Sequence, residues 1–338
     1  MVDRRSTPRP PRITGPKGRA PTLVEKQPMA LNEVNVVILV GGPGQSSLRE
    51  IAGHSVSLLP VPGYRHCLHA WFEIVQRMDP VNKIHVLTGR PEDKRVIGSA
   101  AGEWDAGHLG QTGVHADHND HRGTAGALRD FARSLNYSSD LLVIEGNRIP
   151  PSNPEALFDL EYDREDVIGV LGRDRSFQPS GLLLLKNRIL DLIPEIGFFD
   201  LKEQLIPRAL ERGERILVRL TGEGGNRISD RTSYLRGVRE LGARAQGRAA
   251  RGPWIAGGSD VHEDADVRTG SLVSEGCRIG ARSVVKDSVL LEGAVVGADC
   301  LIVDSVIQGG ITLAPGTKVV RGAPYEGDSS MLETSVLS

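Results

Sequence analysis

Chemistry along this chain can come from only a few places, set by residue type and spacing. The first is Gly41-Gly42-Pro43-Gly44, directly after the β-branched run Val34–Val40. Glycines let successive backbone N–H groups approach an anion, so such a loop after a buried strand can cradle a phosphate; alone, it is equally a tight turn. The second is His115-Ala116-Asp117-His118-Asn119-Asp120-His121, rich in groups that ligate zinc and other divalent ions. Loops also favour these residues for turn chemistry. No second ligand cluster accompanies the run, so a polar surface loop is the simpler expectation. His262 has the type of a general base, but no partner site goes with it. Asp200 and Glu203, and Asp163, Glu165 and Asp166, read as caps and solvated faces rather than acid–base pairs. Cys67, Cys277 and Cys300 include no CxxC pair and read as small buried thiols of a reducing compartment.

The elements that must position these groups follow from periodicity. Val34–Val40 is a short apolar run bounded by glycine, the pattern of a buried parallel strand. A helix is expected near residues 64–78, with Leu68, Trp71, Phe72 and Val75 on one face. Strands at residues 83–88, 140–144, 182–185 and 215–220 alternate with helices at 124–135 and 201–212. That alternation predicts an α/β fold, a Rossmann-like doubly wound, mostly parallel sheet over residues 34–245. Residues 1–33 are Pro-, Arg- and Lys-rich without periodicity, and read as a disordered basic tail.

A period of six takes over after a basic linker at residues 246–254. Val261, Val267, Val273, Ile279, Val285 and Leu291 are spaced by it, with Ala265, Ser271, Cys277, Ser283, Val289 and Val295 four residues after each. The phase slips at Val296 and resumes at Ile302. This predicts a short left-handed parallel β-helix over residues 255–325, about three coils high, with a flexible tail at 326–338. The aliphatic residue of each unit points into the prism and the small one sits near a corner.

Composition bounds the partners. The chain has 338 residues and a formal net charge of -2, which speaks against general nucleic-acid binding. No apolar leader and no run long enough to span a bilayer is found, so a cytoplasmic protein without membrane partners is expected.

Around the first loop the sequence carries a family resemblance. Residues 39–61, LVGGPGQSSLREIAGHSVSLLPV, are similar without a gap to the signature of the sugar-1-phosphate nucleotidyltransferases, roughly LAGGxGTRLxPLTxxxPKxLLPV. Residues 122–128 (RGTAGAL) resemble the family's LGTAGAL turn, and 142–147 (LVIEGN) its LVxxGD strand and loop. Residues 181–184 resemble the GIY strand beside the sugar. Residues 199–207 resemble the helix "fiDlxxxlip", and 228–234 the region DIGTPxxY. With the β-helix, the resemblance covers about residues 35–325. It implies a nucleotide cradle of Gly41, Gly42, Gly44, Gly123, Thr124 and Gly126, with Gly181 on the sugar side. The family's reaction joins a nucleoside triphosphate to a sugar 1-phosphate and releases pyrophosphate, with Mg²⁺ held by two Asp.

Four positions that carry that chemistry are altered. The family Arg is Ser46, the Lys is Val56, and the two metal Asp are Asn147 and Arg227. The Glu-Lys-Pro sugar motif has no equivalent between Val170 and Gly181. Arg49, Arg122, Arg148 and Arg227 are the cations that could substitute. The expectation is a weakly active or inactive relative that binds a nucleotide or nucleotide sugar. It would act as a regulatory or scaffolding subunit, in a homo-oligomer or beside an active homologue, with no cofactor unless it is catalytic, when Mg²⁺ would serve. The alternatives are an active nucleotidyltransferase with substituted phosphate ligands, a hexapeptide-repeat acyltransferase using His262, and an assembly module without a small ligand.

Overall fold

The structure, a computed structural model, describes residues 34–41, 47–78, 83–105, 112–116, 122–158, 164–246 and 252–322. The expectations for the two terminal tails lie outside these residues. Seven strands form one sheet: β1 (Val34–Val40), β2 (Ile84–Thr88), β3 (Thr112–Ala116), β4 (Asp140–Glu145), β5 (Val167–Arg173), β6 (Pro179–Leu185) and β7 (Arg215–Leu220). Their order is β3-β2-β1-β4-β6-β5-β7. All run in one sense except β6, which is antiparallel to both β4 and β5. Helices α1 (Ser47–Ala52), α2 (Cys67–Arg77), α3 (Pro91–Asp105) and α6 (Arg231–Gln246) contribute to one face of the sheet. Helices α4 (Gly123–Ser134) and α5 (Ile206–Glu211) contribute to the other.

Strand alternation builds this double cover. In β1, Val36, Ile38 and Val40 join the first core and Val37 the second; in β4, Leu142 and Ile144 oppose Leu141 and Val143. Helix α2 inserts Trp71 and Phe72, both fully buried, and each contributes about 1.5–3 kcal/mol relative to exposure.

Sequence periodicity passed over α3, β3, β5 and α6. Strand β3 is the instructive case, because it holds His115, where a loop was expected. Its sequence Thr-Gly-Val-His-Ala has little strand propensity, yet it pairs in register with β2 from Ile84↔Thr112 to Thr88↔Ala116. Ladder pairing outweighs propensity there.

Beyond α6, twelve short strands form three parallel four-stranded sheets, β17-β14-β11-β8, β18-β15-β12-β9 and β10-β13-β16-β19. They run from β8 (Trp254–Ile255), β9 (Asp260–Val261), β10 (Asp266–Val267), β11 (Leu272–Val273) and β12 (Arg278–Ile279) to β13 (Val284–Lys286), β14 (Val289–Leu290) and β15 (Val295–Val296), then β16 (Leu301–Val303), β17 (Val306–Ile307), β18 (Thr312–Leu313) and β19 (Lys318–Val320). This is a four-coil stack consistent with a left-handed β-helix, one coil more than expected. The strands the periodicity passed over are β8, where Trp254 and Ile255 hide the repeat, and β17 at Val306–Ile307.

The register also needs correction. Val273 pairs with Leu290, not Leu291, so the slip falls before Leu290 and recurs before Ile307. At these corners Asp287 and Asp304 adopt positive φ of 47° each, which turns the chain in one residue fewer. The upper coils therefore repeat every 17 residues, as a buried serine ladder records: Ser288 N–H donates to Ser271 Oγ, Ser305 N–H to Ser288 Oγ, and Gly322 N–H to Ser305 Oγ. The small inward positions are accordingly Ser288 and Ala294, not Val289 and Val295. Cys277 and Cys300 are buried in the prism as packing thiols, as expected.

The two units share a core. Leu272, Val289, Leu291 and Val306 join the first sheet core. Arg231 Nη1 on α6 donates to Asp304 O at 2.9 Å, and Arg239 lies 3.9 and 3.8 Å from Asp287 and Asp304. The five-residue corners thus double as docking points for a basic helix.

Candidate functional site

An open α/β sheet binds ligands beyond the carboxyl ends of its strands, at the point where strand order reverses. Here that point lies between β1 and β4, whose neighbours β2 and β6 lead away in opposite directions. Gly146 N–H donates to Leu39 O at 2.9 Å and ties the two strand ends together. At the end of β1, Gly41 adopts φ +125°, and a Cβ there would sit 3.2 Å from Gly89 N. Gly42, Gly44 and Ser46 lie outside the described residues.

Among the described residues the acidic side chain at the end of β4 is Glu145, and it is occupied. Arg148 Nε and Lys202 Nζ both pair with its carboxylate. Burial pushes this carboxyl up, but the guanidinium and the ammonium outweigh that and hold it below its ordinary range. Arg148 is itself 8% exposed, and its Nη1 donates to Pro179 O and Gly225 O at 2.8 and 2.7 Å. Its backbone carbonyl accepts from Trp71 Nε1 at 2.8 Å. The side chain crosses the Cα of Gly181, which sits at φ +84°; a Cβ there would collide with Arg148 Cδ. The space beside Gly181, where the resemblance implies sugar, is filled by arginine.

Asn147 and Arg227 are neighbours. Ile228 N–H donates to Asn147 O at 2.8 Å, and Arg148 and Arg227 form an antiparallel bridge. The two positions at which the resemblance implies metal-binding Asp thus lie on adjoining backbone segments, one neutral and one cationic. Mg²⁺ takes hard, preferably anionic oxygens, so an amide, a guanidinium and an already neutralised carboxylate do not fit it. Among the described residues no three His, Cys, Asp or Glu side chains gather as a metal site.

A cleft of about 400 Å³ opens beside this bridge, lined by Arg148, Arg227, Arg236, Asp174, Asp230 and Thr232 among others. Both acids have structural roles. Asp174 accepts from Ser176 N–H and Gln178 N–H at 2.8 Å, and Asp230 caps α6 through Ser233 N–H at 2.8 Å. The Ser233 amide leads the contacts that hold the Asp230 carboxyl below its usual range. Arg227 and Arg236 have no ion-pair partner among the described residues and remain available to an anion.

The other expected cations are taken. Arg49 is bidentate to Asp93 at 2.7 and 2.9 Å, and Arg122 pairs with Asp130 at 2.8 Å. Val56 packs half-buried against the core at the start of a 3₁₀ turn.

The GTAG turn is also turned inward. Ala125 N–H and Gly126 N–H donate to Phe199 O at 3.0 and 3.2 Å. A Cβ on Gly123 would lie 2.7 Å from that oxygen, and one on Gly126 would lie 3.1 Å from Arg122 Cβ. Thr124 Oγ1 donates to Asp200 Oδ2 at 2.9 Å and accepts from Leu201 N–H at 2.9 Å. Asp200 is the cap of a π-helical turn at Leu201–Leu205, accepting from Lys202 N–H and Glu203 N–H, which accounts for the Asp200/Glu203 spacing.

Of the histidine run, only His115 and Ala116 lie within the described residues. His115 Nε2 is 3.1 Å from His85 Nδ1, and Tyr137 Oη bonds the other nitrogen of His85. Burial pulls the His85 pKa down to about 4, so this partly buried chain is neutral at pH 7. His262 lies half-exposed in the first coil, with Asp264 N–H donating to its Nδ1 at 3.1 Å.

Sequence reasoning missed the Glu145–Arg148–Lys202 cluster and Arg236. Glu145 and Arg148 flank the quoted Gly146-Asn147 pair, so their opposite charges three apart were the available signal. Arg236 follows Arg227 only through the fold.

A search of curated proteins gives no match. The family model described as "GlmU-like, C-terminal hexapeptide" matches residues 242–335. The C-terminal part of the chain is thus a hexapeptide-repeat region similar to the GlmU-like family.

Proposed function

We propose that this protein is a nucleotidyltransferase-like regulatory or scaffolding subunit that binds the phosphates of a nucleotide or nucleotide sugar without metal and without turnover. It would work in a homo-oligomer or beside an active homologue. The observation that carries this reading is a strand end where Asn147 and Arg227 stand on adjoining segments in place of carboxylates, while Glu145 is already bonded by Arg148 and Lys202. Joining two polyanions needs charge stabilisation, and losing one preorganised group costs about 2.7–4 kcal/mol in the transition state. Arg227 and Arg236 supply fixed positive charge in the adjoining cleft, which suits recognition of phosphate oxygens.

Calorimetry with nucleoside triphosphates and nucleotide sugars, in EDTA and in Mg²⁺, tests it. Binding should persist undiminished in EDTA and weaken about tenfold in Arg227→Ala. Pyrophosphate release should stay at background; turnover near 1 s⁻¹ or faster overturns the proposal. The inward-facing Gly123–Gly126 turn favours one other reading, a scaffold with no small ligand, and an absence of heat across the panel decides for it.

A further inference from the structure

A second cavity, of about 520 Å³, lies between the two units, within the size range of ordinary ligand sites. One wall comes from the α/β unit, with Ile51, Leu58, Val61 and Tyr64. The other comes from successive coils of the β-helix, with Trp254, Leu272 and Leu291. Its body is therefore apolar and aromatic.

Tyr64, Ser274 and Gln308 can donate or accept around it, and two carboxylates add negative charge. Glu275 and Glu292 sit on consecutive corners, linked by Gly293 N–H donating to Glu275 O at 3.0 Å. Glu275 has no ion-pair partner among the described residues. Arg65, the lining cation among the described residues, is shared between Glu103 and Glu292 at 3.2 and 3.4 Å. His66 must donate Nδ1–H to the Leu58 carbonyl at 2.8 Å, which leaves Nε2 as a further acceptor, and burial lowers its pKa to about 4. Ser274, 8% exposed and also lining the cavity, has a buried Oγ with no hydrogen-bond partner among the described residues.

We propose that this interdomain cavity binds a small amphipathic amine, its apolar body between Tyr64 and Trp254 and its ammonium at Glu275. Charge complementarity selects that class, since an anion would meet the Glu275 carboxylate, whereas an ammonium pairs with it. Bound there, the amine touches both units and biases their docking. The site is independent of the phosphate cleft, so the two proposals fail separately.

Calorimetry of the full chain with 4-phenylbutylamine, 4-phenylbutyrate and 4-phenylbutanol tests it. The amine should bind with a low-millimolar or tighter Kd, as its size allows. The carboxylate should bind at least about tenfold more weakly, and Glu275→Gln should cost the amine about tenfold, the range of one charge-assisted hydrogen bond. The exposed corner position of Glu275 lets that variant fold, and an unchanged circular dichroism spectrum checks it. Equal binding of amine and carboxylate, no heat up to about 10 mM amine, or an amine affinity unaltered by Glu275→Gln each overturns the proposal.

Discussion

Replacing Arg148 by Met is the most direct perturbation of the β1/β4 edge. The substitution keeps much of the side-chain bulk but removes three bonds at once, to Glu145, Pro179 O and Gly225 O. Glu145 is then left with Lys202 alone, and two carbonyls lose their donor. Breaking a buried pair by removing one partner costs about 3–5 kcal/mol, mostly from the charge left behind. At about 2–4 °C per kcal/mol for a domain of this size, the melting temperature should fall by about 6–20 °C. Urea unfolding at pH 7.5, followed by circular dichroism, measures the loss. A double variant with Glu145→Gln separates the causes: if the stranded carboxylate dominates, it loses less than the sum of the singles by about 0.5–3 kcal/mol. A loss under about 1 kcal/mol in Arg148→Met, the range of an exposed pair, refutes the assignment.

In the β-helix, Ser288→Ala strands the Ser305 amide, which donates to Ser288 Oγ at 3.1 Å; it should cost about 1–3 kcal/mol in the urea midpoint, and Ser305→Ala should act likewise through Gly322. Acidification should destabilise the fold between about pH 6.5 and pH 4. Over that window the unfolded chain protonates its histidines while burial keeps His85 and His66 neutral, so the unfolded state binds more protons and stability falls with pH. Urea midpoints at pH 7, 5.5 and 4.5 should decline, with a shallower slope in His85→Gln. Removing the α6 cap in Asp230→Ala should cost about 0.5–2 kcal/mol in thermal unfolding.

Much of the architecture was legible because burial writes itself as period. The run Val34–Val40, the face of α2 and the six-residue repeat each bury one repeating set of side chains, and each element was found. What escaped was set by contacts distant in sequence. Strand β3 owes its form to β2, and Leu290 points inward because Asp287 turns a corner early. The site divided along the same line. The altered positions Asn147 and Arg227 could be named from a pattern, but their adjacency, the masking of Glu145 and the arginine over Gly181 belong to tertiary structure.

That division bears on what a surviving motif means. Gly123, Thr124 and Gly126 match a nucleotide-binding pattern, yet here each has a sufficient packing reason in the Phe199–Leu201 segment and Arg122. Gly181 has one in Arg148. A residue with such a reason keeps its identity whether or not a ligand is bound, so these matches testify to the fold rather than to the ligand. Any recognition of phosphate must then rest on groups the fold does not use. At this edge those are Arg227 and Arg236, which hold no structural partner among the described residues, so replacing them should erase nucleotide binding while leaving the unfolding midpoint within about 0.5 kcal/mol of the parent. Nucleotide binding that survives the loss of both arginines, measured by the same calorimetry, would move the site back to the glycine turns and refute this argument.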